Sequence, residues 1–244
     1  SENRRLLRRT FRFIQAAHKG VNRLRKNKGG SARSYDHHPM EVALLYAEME
    51  VFKRRNTTRD MSPFVVADKI VEIIATASEM NKHELKQRLL KISEQLTHGE
   101  LTIVVGLLCH DTIESSYDRD TDDAEKDRII SQRSGEICGI RNGAELIALR
   151  LTDCKSYKHK KEKRDGQLQL AEQLNYATLK QYDMLVNMYD EALIGNDKRN
   201  KHKKRSVLNH MRCFMRKAYR HNTVTLPFAI ASERIYERAM AQLG

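Results

Sequence analysis

Helix breakers are scarce in this chain, and that scarcity limits its folds more than any other feature. Three prolines and eleven glycines are spread over 244 residues, too few for the many tight turns of a β-sandwich or barrel and well suited to long helices. Apolar residues recur at helical spacing from the start, with Leu7, Phe11, Ile14 and Ala17/His18 on one face. Pro39 suits the first position of a second helix, which places His38 at its N-cap and Val42, Leu45/Tyr46 and Met49 inward. Ser62-Pro63 opens a third, carrying Val66, Ile70, Ile73/Ile74 and Ala77. Asn81 with Glu84 reads as a capping arrangement ahead of Leu85, Leu89, Ile92 and Leu96.

The run from Glu100 to Cys109 (ELTIVVGLLC) is apolar almost all round. Its β-branched residues would allow a buried strand, but the helical surroundings favour a central buried helix. Asn142 with Glu145 again predicts a cap, opening a helix with Leu146, Leu149 and Asp153 on its inner side. Further helices are expected over roughly 167–194, 203–220 and 227–242. The stretches Arg23 to Arg33 and Tyr117 to Asp123 read as loops, and Asn196 to Arg205 as a linker. The expected fold class is all-α.

Hydrophobic residues at 40% suffice for a core, and charged residues at 32% make a charged shell around it. The net charge of +13 and a pI near 9.6 concentrate anions at the surface. Nucleotides, polyphosphates and nucleic acids all satisfy that field, and a solvated helix surface explains much of it equally well. Cys109, Cys138, Cys154 and Cys213 show no CxxC or CxC spacing, so reduced thiols are expected rather than disulfides or a zinc ribbon. No apolar run approaches the roughly 18 residues of a membrane span, and no signal-peptide pattern is visible. The expected location is cytoplasmic, with no membrane partner.

Three clusters combine histidine and aspartate where helical packing would turn them inward: His37-His38-Pro39, His110-Asp111 with Glu114 one turn later, and Asp153. His110 and Asp111 directly follow the apolar run, where burial without partners costs several kcal/mol. A bound divalent cation would offset that cost by supplying the charge that Asp111 needs.

Taken in order, these residues resemble the HD-domain phosphohydrolases. The local wording is similar to the RelA/SpoT-type guanosine-tetraphosphate hydrolases, whose pattern runs AHxGQxR, YxxHPxxVA, ALLHDxxED and KxADRxxN. The corresponding stretches are Ala17-His18-Lys19-Gly20-Val21-Asn22-Arg23, Tyr35-Asp36-His37-His38-Pro39-Met40-Glu41-Val42-Ala43, Gly106-Leu107-Leu108-Cys109-His110-Asp111-Thr112-Ile113-Glu114-Ser115 and Arg150-Leu151-Thr152-Asp153.

The resemblance implies His38, His110, Asp111 and Asp153 as metal ligands and manganese as the metal, a mixed N/O donor set that equally suits iron, cobalt, nickel or zinc. It implies Glu114 as the acid that handles the proton of an attacking water. The family's second acid falls on Ser115, so Asp118 is the nearest replacement, and the family's final asparagine falls on Tyr157. Arg23, Lys26, Lys155 and Tyr157 are the candidate substrate contacts.

The implied architecture is an HD-domain helical bundle over 1–195, with a helical pair inserted at about 55–98, followed by a basic linker and C-terminal helices over 196–244. The implied activity is that of a guanosine 3′,5′-bis(diphosphate) 3′-pyrophosphohydrolase acting on a nucleotide substrate. The alternatives are a deoxynucleotide nucleotidase or triphosphohydrolase of the wider superfamily, and a non-catalytic nucleotide- or nucleic-acid-binding protein. Nucleic acid, met by the basic segment Lys198 to Arg220 with Phe214 and Tyr219 interleaved, is the less favoured partner.

Overall fold

The computed structural model describes residues 1–18, 22–26, 32–34, 36–56, 61–117, 121–152, 177–193, 201–221 and 224–243. The fold is all-α. Its helices are α1 (Glu2–Ala17), α2 (His37–Arg55), α3 (Pro63–Glu79), α4 (Lys82–Ile92), α5 (His98–Glu114), α6 (Asp123–Ile140), α7 (Ala144–Leu151), α8 (Ala177–Leu193), α9 (Lys201–Arg220) and α10 (Leu226–Leu243). The chain divides into two compact units, one of Ser1–Asn22, Ser34–Arg55 and Met80–Lys163, the other of Arg23–Arg33, Asn56–Glu79 and Arg164–Gly244. The helical pair expected as an insert is thereby shared out, α3 belonging to the second unit and α4 to the first.

In the first unit α5 is the central element, packed against α1, α2, α6 and α7, with α4 lying on α1 and α2. Its start is fixed by a capping box: Thr97 Oγ1 accepts from the Glu100 amide at 3.3 Å, and Glu100 returns an acceptor to the Thr97 amide at 2.7 Å. Leu101, Val104, Val105, Leu107, Leu108 and Cys109 are buried, so the apolar run is a central helix, as its context predicts. Burial pushes the Cys109 thiol up, keeping it a neutral core group. The expected capping box of Asn81 and Glu84 opens α4.

In the second unit α10 packs against α3, α8 and α9. Phe228 is buried and meets the Tyr182 ring edge-on at 4.7 Å. Ser62 caps α3, its hydroxyl accepting from the Phe64 amide at 3.3 Å.

Four expectations need correction. Arg23 to Arg33, read as a loop, contains two paired strands, β1 (Asn22–Lys26) and β2 (Ala32–Ser34). A ladder gives their backbone groups partners without any apolar alternation that the sequence could show. The linker expected at Asn196 to Arg205 is helical from Lys201. Its charges are engaged there: Lys204 donates to the Ala192 carbonyl at 2.9 Å in the last turn of α8, and Lys201 and Arg205 donate to the Leu243 carbonyl.

The cap of α7 is Gly143, at φ 90°, rather than Asn142. Glu145 accepts from the Gly143 amide at 2.8 Å, and only glycine takes that left-handed backbone without strain. Consequently the buried face of α7 is Ala144, Ile147, Ala148 and Leu151, while Leu146, expected inward, is 48% exposed. Finally, α6 carries no signal in the apolar spacing, because Ile137 is its one buried residue.

Candidate metal centre

The site grows from the crossing of α2 and α5. Arg54, near the end of α2, bonds Glu100 in the first turn of α5 at 2.7 Å, while His38, at the start of α2, meets His110 near the end of α5. The two helices therefore run antiparallel. The cap that starts α5 and the arginine that anchors it set which α5 residues reach the start of α2.

His38 and His110 are 1% and 2% exposed, and their rings meet edge-on with centroids 5.8 Å apart. Their ligand-capable nitrogens lie within 4.8 Å. His38 stands inside the first turn of α2, which begins at His37, rather than at the cap. His110 Nδ1 lies 2.6 Å from the Leu107 carbonyl oxygen. A carbonyl can only accept, so Nδ1 carries a proton and the neutral ring presents its lone pair at Nε2. This backbone anchor is the usual partner of a metal-binding imidazole.

His110 Nε2 stands 3.0 Å from Asp111 Oδ1. Two chemistries give that separation. Two ligands of one cation, held at about 2.1 Å and a right angle, are about 3 Å apart. A protonated imidazolium hydrogen-bonded to the carboxylate gives the same distance, at the desolvation cost of a buried ion pair.

More ionisable side chains converge here than the sequence identifies. Glu41 is 3% exposed, and its carboxylate lies within 4.8 Å of a His38 ring nitrogen. His37 and Asp36 are also buried, Asp36 in an ion pair with Lys82 of α4. His18 is buried just past α1, near Asp111. Burial pushes its imidazole below the usual histidine range, opposed by the negative charge of Asp111 and Asp36. His18 had a signal in the Ala17-His18 pair of the first motif. Glu41 had one in its three-residue spacing from His38, one turn along the same helix.

Thus the structure brings together three of the sequence-derived ligands, His38, His110 and Asp111, and adds Glu41 and His18 beside them. Buried histidine, aspartate and glutamate groups among the described residues, His38, His110 and Glu41 of this unit included, could hold a metal ion. The fourth expected ligand, Asp153, lies outside the described residues; Thr152 just before it donates to the His110 carbonyl at 3.3 Å. Asp118, Lys155 and Tyr157 also lie outside the described residues, as do the side chains of Glu114, Arg23 and Lys26, the last two on strand β1. Of the aromatic residues on the basic segment, Phe214 is buried and Tyr219 is exposed.

Among the described residues, no helix is long and apolar enough to cross a membrane. Compared with known proteins, the chain matches no family model, no curated protein and no solved structure.

Proposed function

We propose that the chain is a metal-dependent phosphohydrolase of the HD type that acts on a nucleotide, most closely a guanosine polyphosphate losing its 3′-pyrophosphate. The observation that carries this reading is that buried His38 stands against buried His110, whose Nε2 lies 3.0 Å from the buried Asp111 carboxylate. The donors fit a divalent transition ion, and manganese comes from the family wording alone.

When bound, such an ion polarises a phosphoryl oxygen and lowers the pKa of a coordinated water. The chain's own residues do the rest. The Leu107 carbonyl holds the His110 ring in one tautomer and orientation, with Nε2 toward the site. The Glu114 carboxylate, one turn past Asp111, accepts the proton of the attacking water. Arg23, Lys26 and Lys155 neutralise substrate phosphates, and the surplus of basic residues raises the local concentration of the anion.

The test is a panel of ribo- and deoxynucleotides, including guanosine polyphosphates, given to the Mn²⁺-loaded protein while pyrophosphate, phosphate and triphosphate release are followed. Pyrophosphate from a guanosine polyphosphate is expected. Turnover of deoxynucleotides alone would replace this substrate by that of a nucleotidase or triphosphohydrolase. Tight nucleic-acid binding that collapses with added salt, without hydrolysis under any metal, would favour the binding protein. His110→Ala and Asp111→Ala should lose metal while keeping their helical circular dichroism, and unchanged metal content in both refutes the ligand assignment.

A further inference from the structure

We propose that the exposed face of α1 is a docking surface for a double-stranded nucleic acid, held by its phosphates. This goes beyond the metal-dependent reading and does not rest on it. Arg5, Arg8, Arg9 and Arg12 are exposed and fall three and four residues apart, which sets them on one face of the helix. The opposite face, with Leu7, Thr10, Phe11 and Ile14, is buried. At the rise of an α-helix the row from Arg5 to Arg12 is about 10.5 Å long.

No acid accompanies this row. Among the described residues its four guanidinium groups make no ion pair or hydrogen bond. Glu2 is the one acid of α1, and it stands in the first turn, paired with none of them. Arg4, just off the row, is matched by Glu94 at 2.9 Å. On α6, by contrast, Arg128 meets Glu125 and Arg133 meets Glu136, each at 2.7 Å, and Glu233 of α10 takes both Arg212 and Arg216. Like charges three and four residues apart repel and weaken a helix. A line of phosphates removes that repulsion, and the planar guanidinium fork binds phosphate bidentately. Lys86 of α4 extends the basic surface, its Nζ lying 3.5 Å from Oε1 of Gln15, one turn beyond Arg12.

An amphipathic helix lies on a membrane by burying its apolar face in lipid. Leu7, Phe11 and Ile14 are at most 4% exposed, already committed to the core, so α1 has no such face to give. Single strands are held by exposed aromatic platforms interleaved with cations. Phe11 is buried and Phe13 half-buried, and α1 carries no other aromatic residue. A duplex needs neither lipid-like burial nor stacking, since its two strands together present one charge about every 1.7 Å. Contacts to phosphates carry no sequence information, so binding should not depend on sequence.

The probes are labelled DNA and RNA duplexes of one sequence, titrated with the full chain by fluorescence anisotropy between about 50 and 200 mM salt. Arg5, Arg8, Arg9 and Arg12 are changed together to glutamine. A control of the same net charge changes Lys91, Lys203, Arg220 and Arg238, all exposed on other helices, to glutamine. The wild type should bind at least one duplex, with affinity falling as salt rises. Without the row, the slope of log affinity against log salt should be shallower by about 3–4, and binding at low salt more than about tenfold weaker. The control should keep the wild-type slope to within about 1. Arg5→Gln with Arg9→Gln alone should give about half the change in slope. That pair carries the test if the fourfold variant loses its helical signal.

Neither duplex bound by the wild type, or an unchanged slope without the row, overturns the docking surface. Equal losses in the row variant and the control assign the binding to net charge and overturn it too. Displacement of the duplex by poly-glutamate as readily as by unlabelled duplex would mean a carboxylate partner instead. Row-dependent capture by phosphatidylserine vesicles in place of either duplex would mean a membrane surface. The titration follows no hydrolysis, so none of these results bears on the metal centre.

Discussion

Gly106 shows how one atom governs the geometry beneath the site. A Cβ there would stand 2.6 Å from the Ile147 Cβ and 3.0 Å from the Ala144 carbonyl oxygen, so α5 and α7 approach this closely only because the side chain is missing. In an isolated helix Gly→Ala gains up to about 1 kcal/mol. Here the new methyl meets atoms fixed to the α7 backbone, and overpacking costs about 1–3 kcal/mol. Gly106→Ala should therefore be net destabilising in urea unfolding. Equal or greater stability for the single variant would show that α7 moves freely.

A second residue-scale expectation concerns Glu114. Glu114→Gln should still bind metal and nucleotide while the chemical step slows roughly 10²–10⁴-fold, the usual scale for a general base. Full turnover in that variant passes the role to another acid, Asp118 first. His110 and Asp111 were legible in the sequence because two ionisable groups follow ten largely apolar residues. His18 and Glu41 carried weaker signals, the Ala17-His18 wording and the three-residue spacing from His38, which gain meaning only once their neighbours are in place.

At the scale of elements, legibility followed the apolar pattern. The buried helix α5, the capping box of α4 and the serine cap of α3 were all readable, because each rests on local spacing or on a local hydrogen bond. α6 was not, since Ile137 is its one buried residue and its support lies at the surface. Asp122 caps it by accepting from the Glu125 amide at 2.9 Å, and Arg128 and Arg133 pair with Glu125 and Glu136 three residues away. The magnitudes rank these supports. Ile137→Ala should cost about 2–4 kcal/mol and Asp122→Ala about 1 kcal/mol. Arg128→Ala, removing a fully exposed and solvent-screened pair, should cost the least of the three. Chemical denaturation of the three variants checks the order. An Asp122 effect exceeding that of Ile137 would mean that the surface, and not the contact with the core, holds α6. The misread cap of α7 has the same origin, since the sequence offers both Asn142 and Gly143 and only the backbone angle decides between them.

At the scale of the whole molecule, neither unit is a continuous stretch of chain. The second one assembles Arg23–Arg33, Asn56–Glu79 and Arg164–Gly244, so α3 meets its partners only after the chain has passed through most of the first unit. A cut after residue 195, where the sequence suggests a boundary, would remove α9 and α10. It would leave α3 and α8 without the helix that both pack against. Phe228 and Ile235 would go with α10, and Tyr182 would lose its ring partner. Several buried aliphatic and aromatic side chains would then face water, each costing about 1.5–3 kcal/mol relative to burial, against a total stability of only about 5–15 kcal/mol for a domain. The basic charge of α9 is part of the same assembly. Arg212 and Arg216 both grip Glu233 of α10, and the Arg212 guanidinium lies 4.1 Å from the centre of the Tyr236 ring. The truncated chain is accordingly expected to bind a hydrophobic dye and aggregate, and to lose more helical signal than the deleted residues account for. A soluble fragment whose helical content falls only by the deleted share, and which binds as much Mn²⁺ as the full chain, would show instead that the C-terminal helices are an appendage to a self-sufficient domain.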